Sequence, residues 1–199
     1  MLSIYNKNNI VEAGIDEAGR GSLYGGVYSC AVIWNKELEK SDLIKYVKDS
    51  KKLSRKRRKE VYDFLIKNVT YGLGVVDNDV IDKINILEAT KLAMKKAVNN
   101  LTIKPKLLVI DGCGWENKFD IESVSIVKGD NKYYSIAAAS IIAKVSHDID
   151  IINDINNNNS LKNYSLDTNM GYGTKKHIDG IRKYGYTSKH RKSFMIKGL

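Results

Sequence analysis

The sequence predicts an α/β fold, an open sheet covered by helices. Two observations carry that expectation. Short, nearly continuous apolar runs of strand type, residues 27–34 and 107–110, alternate with longer stretches whose apolar residues recur at helical spacing. Strands of this kind need cover on both faces, as helices provide in α/β proteins. In addition, three separate acidic points fall where strand runs end, the position at which open α/β sheets carry their sites.

Taken in order, residues 10–16 read as a first strand and 27–34 as a second, with Gly25-Gly26 permitting a tight connection. Asp49-Ser50-Lys51-Lys52-Leu53-Ser54 reads as a polar loop ending on Ser54, a good helix N-cap. Val61, Phe64, Leu65 and Val69 then form one apolar stripe of a helix whose other face is basic. Residues 71–77 read as a third strand. Asn85 with Glu88 makes a capping-box pattern, and Ala89, Ala93, Ala97 and Leu101 give the following helix a slim face for close packing. The run 107–110 delivers Asp111 and Gly112 at its C-terminal end, and a β-branched stretch over 122–127 closes on Lys128-Gly129-Asp130. Residues 135–152 are alanine-rich and apolar, which predicts a buried helix, and the four asparagines at 156–159 predict an exposed loop. Gly171-Tyr172-Gly173-Thr174 precedes a short helix, capped by Thr174 and stopped by Gly185. A basic tail follows, with Lys189, His190, Arg191, Lys192 and Lys197. With no internal repeat and no linker, a single domain over residues 1–199 is expected.

Composition narrows the function. A formal charge of +10, from 33 Lys and Arg against 23 Asp and Glu, suits a polyanionic partner. No early segment has the pattern of a secretion signal and no apolar run approaches the roughly 20 residues of a membrane span, so a soluble, cytoplasmic protein without a membrane partner is expected. Cys30 and Cys113 have no Cys or His at zinc-ligand spacing beside them and read as free thiols. His147, His177 and His190 share no metal-ligand spacing, which predicts surface or hydrogen-bonding roles. Ser140 has no nearby His base and is expected to pack within its helix.

The chemistry concentrates in Gly14-Ile15-Asp16-Glu17-Ala18-Gly19-Arg20-Gly21, where two carboxylates, a guanidinium and glycines follow an apolar run. Neighbouring parallel strands would bring Asp16, Glu17, Asp111 and Asp130 together. Such a cluster is costly without cations, and hard oxygen ligands suit Mg²⁺ or Mn²⁺. Two such ions about 3.5–4 Å apart can activate water and stabilise the leaving oxygen in phosphodiester hydrolysis.

Together with Asp49-Ser50-Lys51-Lys52-Leu53-Ser54, Ile110-Asp111-Gly112, Lys128-Gly129-Asp130, Ala138-Ala139-Ser140-Ile141, Ala143-Lys144-Val145, Gly171-Tyr172-Gly173-Thr174-Lys175 and His190-Arg191-Lys192-Ser193-Phe194, the motif resembles the bacterial type 2 ribonucleases H, ribonuclease HII. The matching segments span most of the chain. The resemblance implies a ribonuclease H-like fold: a mixed central sheet flanked by helices, with a helical C-terminal portion. From about residue 155 onward that portion would contact substrate. It implies an endonuclease that uses one or two divalent ions, Mg²⁺ or Mn²⁺, to hydrolyse RNA in RNA–DNA hybrids. Such an enzyme also cuts 5′ of single ribonucleotides embedded in duplex DNA and leaves 3′-hydroxyl and 5′-phosphate ends, with roles in ribonucleotide excision repair and primer removal. A monomer is expected, with a sliding clamp as a further partner.

Position by position, the resemblance assigns Asp16, Glu17, Asp111 and Asp130 to the metal site, with Asp148 the rival for the fourth place. Gly19, Arg20 and Gly21 match the segment that contacts the ribose 2′-hydroxyl and its phosphate, and Tyr172 matches the ring that stacks on the next sugar. Lys51, Lys52, Lys175 and Arg191 match phosphate contacts. Three positions depart from the family pattern: Ser22 and Gly26 where prolines are usual, and His147 where arginine is usual. A type 3 ribonuclease H and a non-catalytic basic binding module are the competing readings. Arg20 between two glycines argues against the first, and the presence of all four carboxylates argues against the second.

Overall fold

The structure, a computed structural model, describes residues 2–5, 10–47, 53–196 and 198. Five strands form one mixed sheet: β1 (Glu12–Ala18), β2 (Val27–Ile33), β3 (Thr70–Val76), β4 (Leu107–Asp111) and β5 (Glu122–Ile126), in the order β3-β2-β1-β4-β5. β1 pairs antiparallel with β2 and parallel with β4; β2 pairs antiparallel with β3, and β4 parallel with β5. The helices are α1 (Ile44–Val47), α2 (Arg55–Asn68), α3 (Asn78–Asn99), α4 (Tyr134–Asn157), α5 (Leu166–Asn169) and α6 (Lys175–Tyr184). Among the described residues no helix is long and apolar enough to cross a membrane.

Helices cover both faces, because side chains alternate along each strand. Ile15 and Ile110 pack with Met94 and Ala97 of α3 on one face. Cys30 and Val32 pack with residues 137–139 and 141–143 of α4, and with Val61 and Leu65 of α2, on the other. Small residues set how close the layers come. A Cβ on Gly74 would lie 2.0 Å from the Ala93 carbonyl oxygen of α3, so the alanine face of that helix rests directly on β3. A Cβ on Gly14 would lie 2.4 Å from the Ser135 carbonyl carbon, which brings the start of α4 against β1.

Several elements differ from the sequence reading. Strand β1 begins at Glu12 and runs on to Ala18, because its antiparallel ladder with β2 continues through Ala18↔Tyr28. The helix expected to begin at Asn85 starts at Asn78 and is kinked there: Asn85 takes φ 66°, and its side-chain oxygen accepts the N–H groups of Leu87 and Glu88. Glu88 pairs with Lys91 at 2.7 Å. Of the four asparagines expected to form a loop, Asn156 and Asn157 extend α4, and a 3₁₀ turn over Asn159–Tyr164 follows. Both N-caps hold, with Ser54 accepting from the Arg57 N–H and Thr174 from the His177 N–H.

A second apolar cluster, including Leu23, Ile151, Tyr164, Leu166 and Ile181, joins the end of α4 to α5 and α6. The segment after α6 then fastens three distant stretches together. The Arg191 N–H donates to Leu23 O, Gly25 N–H to Lys189 O, and Leu23 N–H to Gly171 O. Arg191 was expected to face phosphate. Its side chain is instead only 1% exposed, with Nε and both terminal nitrogens donating to the carbonyls of Gly25, Arg20 and Gly26 at 2.8–3.1 Å. Burial pushes its pKa down to about 10, which still leaves it charged at neutral pH. A planar fork fits three converging carbonyls; an ammonium cannot. Arg191→Lys is therefore expected to lower stability by about 2–4 kcal/mol in denaturant unfolding. Arg182→Lys, at a half-exposed ion pair with Asp179, should change it by less than about 0.5 kcal/mol.

Candidate active site

The acidic residues converge where β1 loses one neighbour. Its parallel pairing to β4 ends at Ile15↔Ile110, while pairing to β2 continues through Asp16↔Cys30 and Glu17↔Ser29. Asp16 and Glu17 thus sit within β1, not at its end as expected. Asp111, one residue beyond the last pair, lies beside Asp16. Ile15 and Ile110 face α3, so alternation turns Asp16 and Asp111 together toward α4. There Glu17 N–H donates to Asp16 Oδ1 at 2.7 Å, the Ser29 hydroxyl holds the Asp16 carbonyl at 3.0 Å, and the Ser140 hydroxyl favours the charged form of the Asp16 carboxylate. Asp111 Oδ1 accepts the Gly129 N–H at 2.6 Å, which fixes the turn after β5 against the end of β4. Asp130 is the next residue in that turn, buried, with Asn131 Nδ2 2.9 Å from its Oδ1.

Electrostatics sets these carboxylates apart. Burial, then the charges of Glu17 and Asp111, holds the Asp16 carboxyl well above the usual range. Burial also raises Glu17, against the opposing pull of Arg20, whose guanidinium lies 3.5 Å away, and with a further push from Asp111. Groups that resist joint ionisation are groups that a cation would relieve. The donor set, carboxylate oxygens alone, suits a hard divalent ion. Among the described residues, however, no three acidic, His or Cys side chains are already closed around a single point. Asp148 sits differently, 2.9 Å from Lys144 Nζ and 3.2 Å from His147 Nδ1 on the same helix. Burial alone would raise its pKa, but those two bonds outweigh it and hold the carboxyl low.

Beside the carboxylates lies a second group. Gly19 has φ 80°, and a Cβ there would lie 2.6 Å from the His147 ring, so the chain passes over that imidazole only as glycine. Its N–H donates to the Tyr172 hydroxyl at 3.3 Å. Arg20 is half-exposed between Glu17 and the ring of Trp115, 5.8 Å from the ring centre, and a Cβ built on Gly21 would meet open space. Lys144 Nζ stands 4.7 Å from the centre of the Tyr172 ring. Two of the departures from the family pattern meet here, with Ser22 Oγ 3.4 Å from His147 Nε2. Lys175 is exposed on the first turn of α6. Lys51 and Lys52 lie outside the described residues.

Several participants were not legible in the sequence. His147, His177 and His190 are buried and bonded to neighbours; none lies on the surface. The spacing of His177 from Gly180 and Ile181, three and four residues on, was a signal of an inward helix face. Ser140 does more than pack, since its hydroxyl favours the charged form of Asp16. Trp115 is 4% exposed and its indole N–H donates to the Asp111 carbonyl at 3.2 Å, a contact that only the tertiary structure reveals.

Comparison with known proteins agrees with this arrangement. The family model described as ribonuclease HII matches residues 13–197. The chain is 46% identical over 182 residues to the ribonuclease HII of Pelagibacter ubique, covering 92% of this chain and 94% of that one. It is 45% identical over 188 residues to that of Rickettsia prowazekii, covering 94% and 92%. The ribonuclease HII of Archaeoglobus fulgidus, solved in complex with PCNA, superposes with a TM-score of 0.76 at 27% identity, covering 96% of this chain and 98% of that one. With a mixed sheet, an acidic strand end and a sequence match along nearly its whole length, the chain belongs to the ribonuclease HII family and is a type 2 ribonuclease H, an endonuclease acting on RNA–DNA substrates.

Proposed function

We propose that the protein is a divalent-metal-dependent endonuclease that cuts 5′ of single ribonucleotides embedded in duplex DNA, besides cleaving longer hybrids, and so serves ribonucleotide excision repair and primer removal. The observation that carries this reading is the bond between Gly19 N–H and the Tyr172 hydroxyl, which ties an aromatic ring to the glycine loop that follows Asp16 and Glu17 in β1. In this reading Asp16, Glu17, Asp111 and Asp130 hold Mg²⁺ or Mn²⁺, and the mutual repulsion of the first three supports it. Bound ions would supply activation of the attacking water and stabilisation of the leaving oxygen.

The chain's own residues do the selecting. The discriminating atom is the ribose 2′-hydroxyl, which both donates and accepts hydrogen bonds. Bare backbone at Gly19 and Gly21 permits its approach, Arg20 presents a planar fork to the adjoining phosphate, and the Tyr172 ring offers a face to the following sugar. Lys51, Lys52 and Lys175 are assigned to phosphates farther along the duplex. The whole chain is read as one catalytic unit, with residues from about 155 onward on the substrate side. Contact with a sliding clamp belongs to the proposal on the strength of the Archaeoglobus fulgidus complex.

The metal assignment is tested by stability as well as by turnover. Because the folded-state pKa of Asp16 is raised, its ionisation opposes folding as pH climbs from the unfolded value toward the folded one, and that penalty persists at pH 7. Asp16→Asn should abolish cleavage yet raise the metal-free melting temperature, by about 2–4 °C per kcal/mol relieved. Added Mg²⁺ should raise the melting temperature of the native protein more than that of the variant; equal shifts in thermal scans would count against the site. For the fourth ligand, Asp130→Asn should cost far more activity at saturating metal than Asp148→Asn, and the reverse order would reassign it. For recognition, Arg20→Ala and Tyr172→Ala should each lower cleavage at a single ribonucleotide by about tenfold more than cleavage within an RNA tract. Equal losses on the two substrates would place the reading of the junction elsewhere.

A further inference from the structure

Tyr172 is held from behind as well as from its hydroxyl. Its carbonyl accepts the Thr174 N–H at 2.8 Å and lies 3.0 Å from His177 Nδ1. His177 Nε2 lies 3.1 Å from His190 Nε2, both rings buried. His190 Nδ1, at the far side, is 2.9 Å from the Thr187 N–H and 2.8 Å from the Thr187 hydroxyl. A backbone N–H can only donate and a carbonyl can only accept, so the two ends of this chain fix every proton within it. His190 Nδ1 must accept, which puts its hydrogen on Nε2; that hydrogen points at His177 Nε2, which must accept in turn, so His177 carries its own hydrogen on Nδ1 and donates to Tyr172. Burial lowers the pKa of both rings, that of His190 to about 4 with a further push from His177, so the pair is neutral at working pH. The rings of Tyr24, Tyr164 and Tyr186 surround His190 and keep it in place.

We infer that His177 and His190 are positioning residues: a directional hydrogen-bond relay from Thr187 through both imidazoles to the Tyr172 carbonyl sets the height and tilt of the Tyr172 ring, and thereby the preference for a ribonucleotide–deoxynucleotide junction. The inference rests on the reading of Tyr172 given above. Among the described residues the relay bonds no carboxylate, and it reaches the Tyr172 carbonyl while Gly19 bonds the hydroxyl, so its loss should act on where the ring stands more than on the chemical step.

The test compares substitutions at position 177 that differ only in where a donor lies. Asparagine places its amide N–H near the site of Nδ1 and keeps the bond to Tyr172; glutamine places its amide near Nε2; phenylalanine keeps the ring volume and no donor. Cleavage rates would be measured for a single embedded ribonucleotide and for a long RNA tract, with Tyr172→Ala run alongside. His177→Phe is expected to lower the single-ribonucleotide rate relative to the tract rate by about five- to tenfold, the scale of one lost hydrogen bond, while His177→Asn stays within about twofold of the native ratio. Equal ratios in His177→Phe and His177→Asn would overturn the relay and leave a packing role. If His177→Phe does not fold, His177→Asn against His177→Gln carries the same comparison, with only the glutamine variant expected to lose the preference. If Tyr172→Ala leaves the ratio unchanged, the reading of Tyr172 and this inference fall together; if it changes the ratio and no variant at 177 does, only the relay falls. Nitrogen-15 spectra of the native imidazoles provide a check that needs no variant: His177 with hydrogen on Nδ1 and His190 with hydrogen on Nε2 are expected, and the opposite tautomer in either ring would overturn the relay.

Discussion

Like charges buried at one point of the sheet are the constraint on which the rest of the site depends. Asp16 and Asp111 project from the same face because their strands run parallel with Ile15 opposite Ile110, and both are roofed by α4. In a low-dielectric setting such charges repel more strongly than they would at the surface. The fold tolerates them by placing donors or a cation beside each: a backbone N–H on Asp16, Gly129 on Asp111, Arg20 near Glu17. These donors lessen the strain without neutralising the cluster. The resulting deficit of positive charge is what makes the place attractive to a hard cation, and it explains why the surrounding backbone is fastened so closely.

The neighbouring glycine loop is organised by a different kind of contact. Loop 19–26 has few side chains of its own to pack, so its shape is imposed from outside. His147 lies under Gly19, Arg191 gathers three of its carbonyls, and Gly171 accepts from Leu23. Arg20 is left reaching outward with its backbone fixed at both sides. The family pattern has prolines near this loop and arginine at position 147; here Ser22 and His147 meet each other instead. With Pro105 the chain's one proline, contacts hold this loop in shape.

Much of this was legible in the sequence because it depends on local rules. Apolar runs marked the strands, Ser54 and Thr174 marked helix starts, and Asp111 was visible at the end of its strand. What stayed hidden depended on partners far away in the chain. Nothing near Arg191 distinguishes a phosphate ligand from a buried clamp, since its acceptors lie some 165 residues earlier. Likewise the extension of β1 past Asp16 is a property of its pairing with β2, and the kink at Asn85 reflects a short helical stretch before the cap that the pattern of apolar residues did not announce. For the histidines the sequence left surface and hydrogen-bonding roles open, because burial of a polar ring requires a specific partner, and such partners are not written beside it; all three are buried and hydrogen-bonded.

The clamp formed by residues 187–191 also has a consequence for synthesis. Sheet strands β1 to β5 and helix α4, which carry Asp16, Glu17 and Asp111 and their cover, all precede Arg191 in the chain. Loop 19–26, made among the first residues, waits for almost the last ones to receive its support. A nascent chain therefore holds the acidic residues before it holds the support for loop 19–26. Because Leu23 and Tyr24 seat among residues of α4, α5 and α6, capture of the loop is tied to docking of the C-terminal helices.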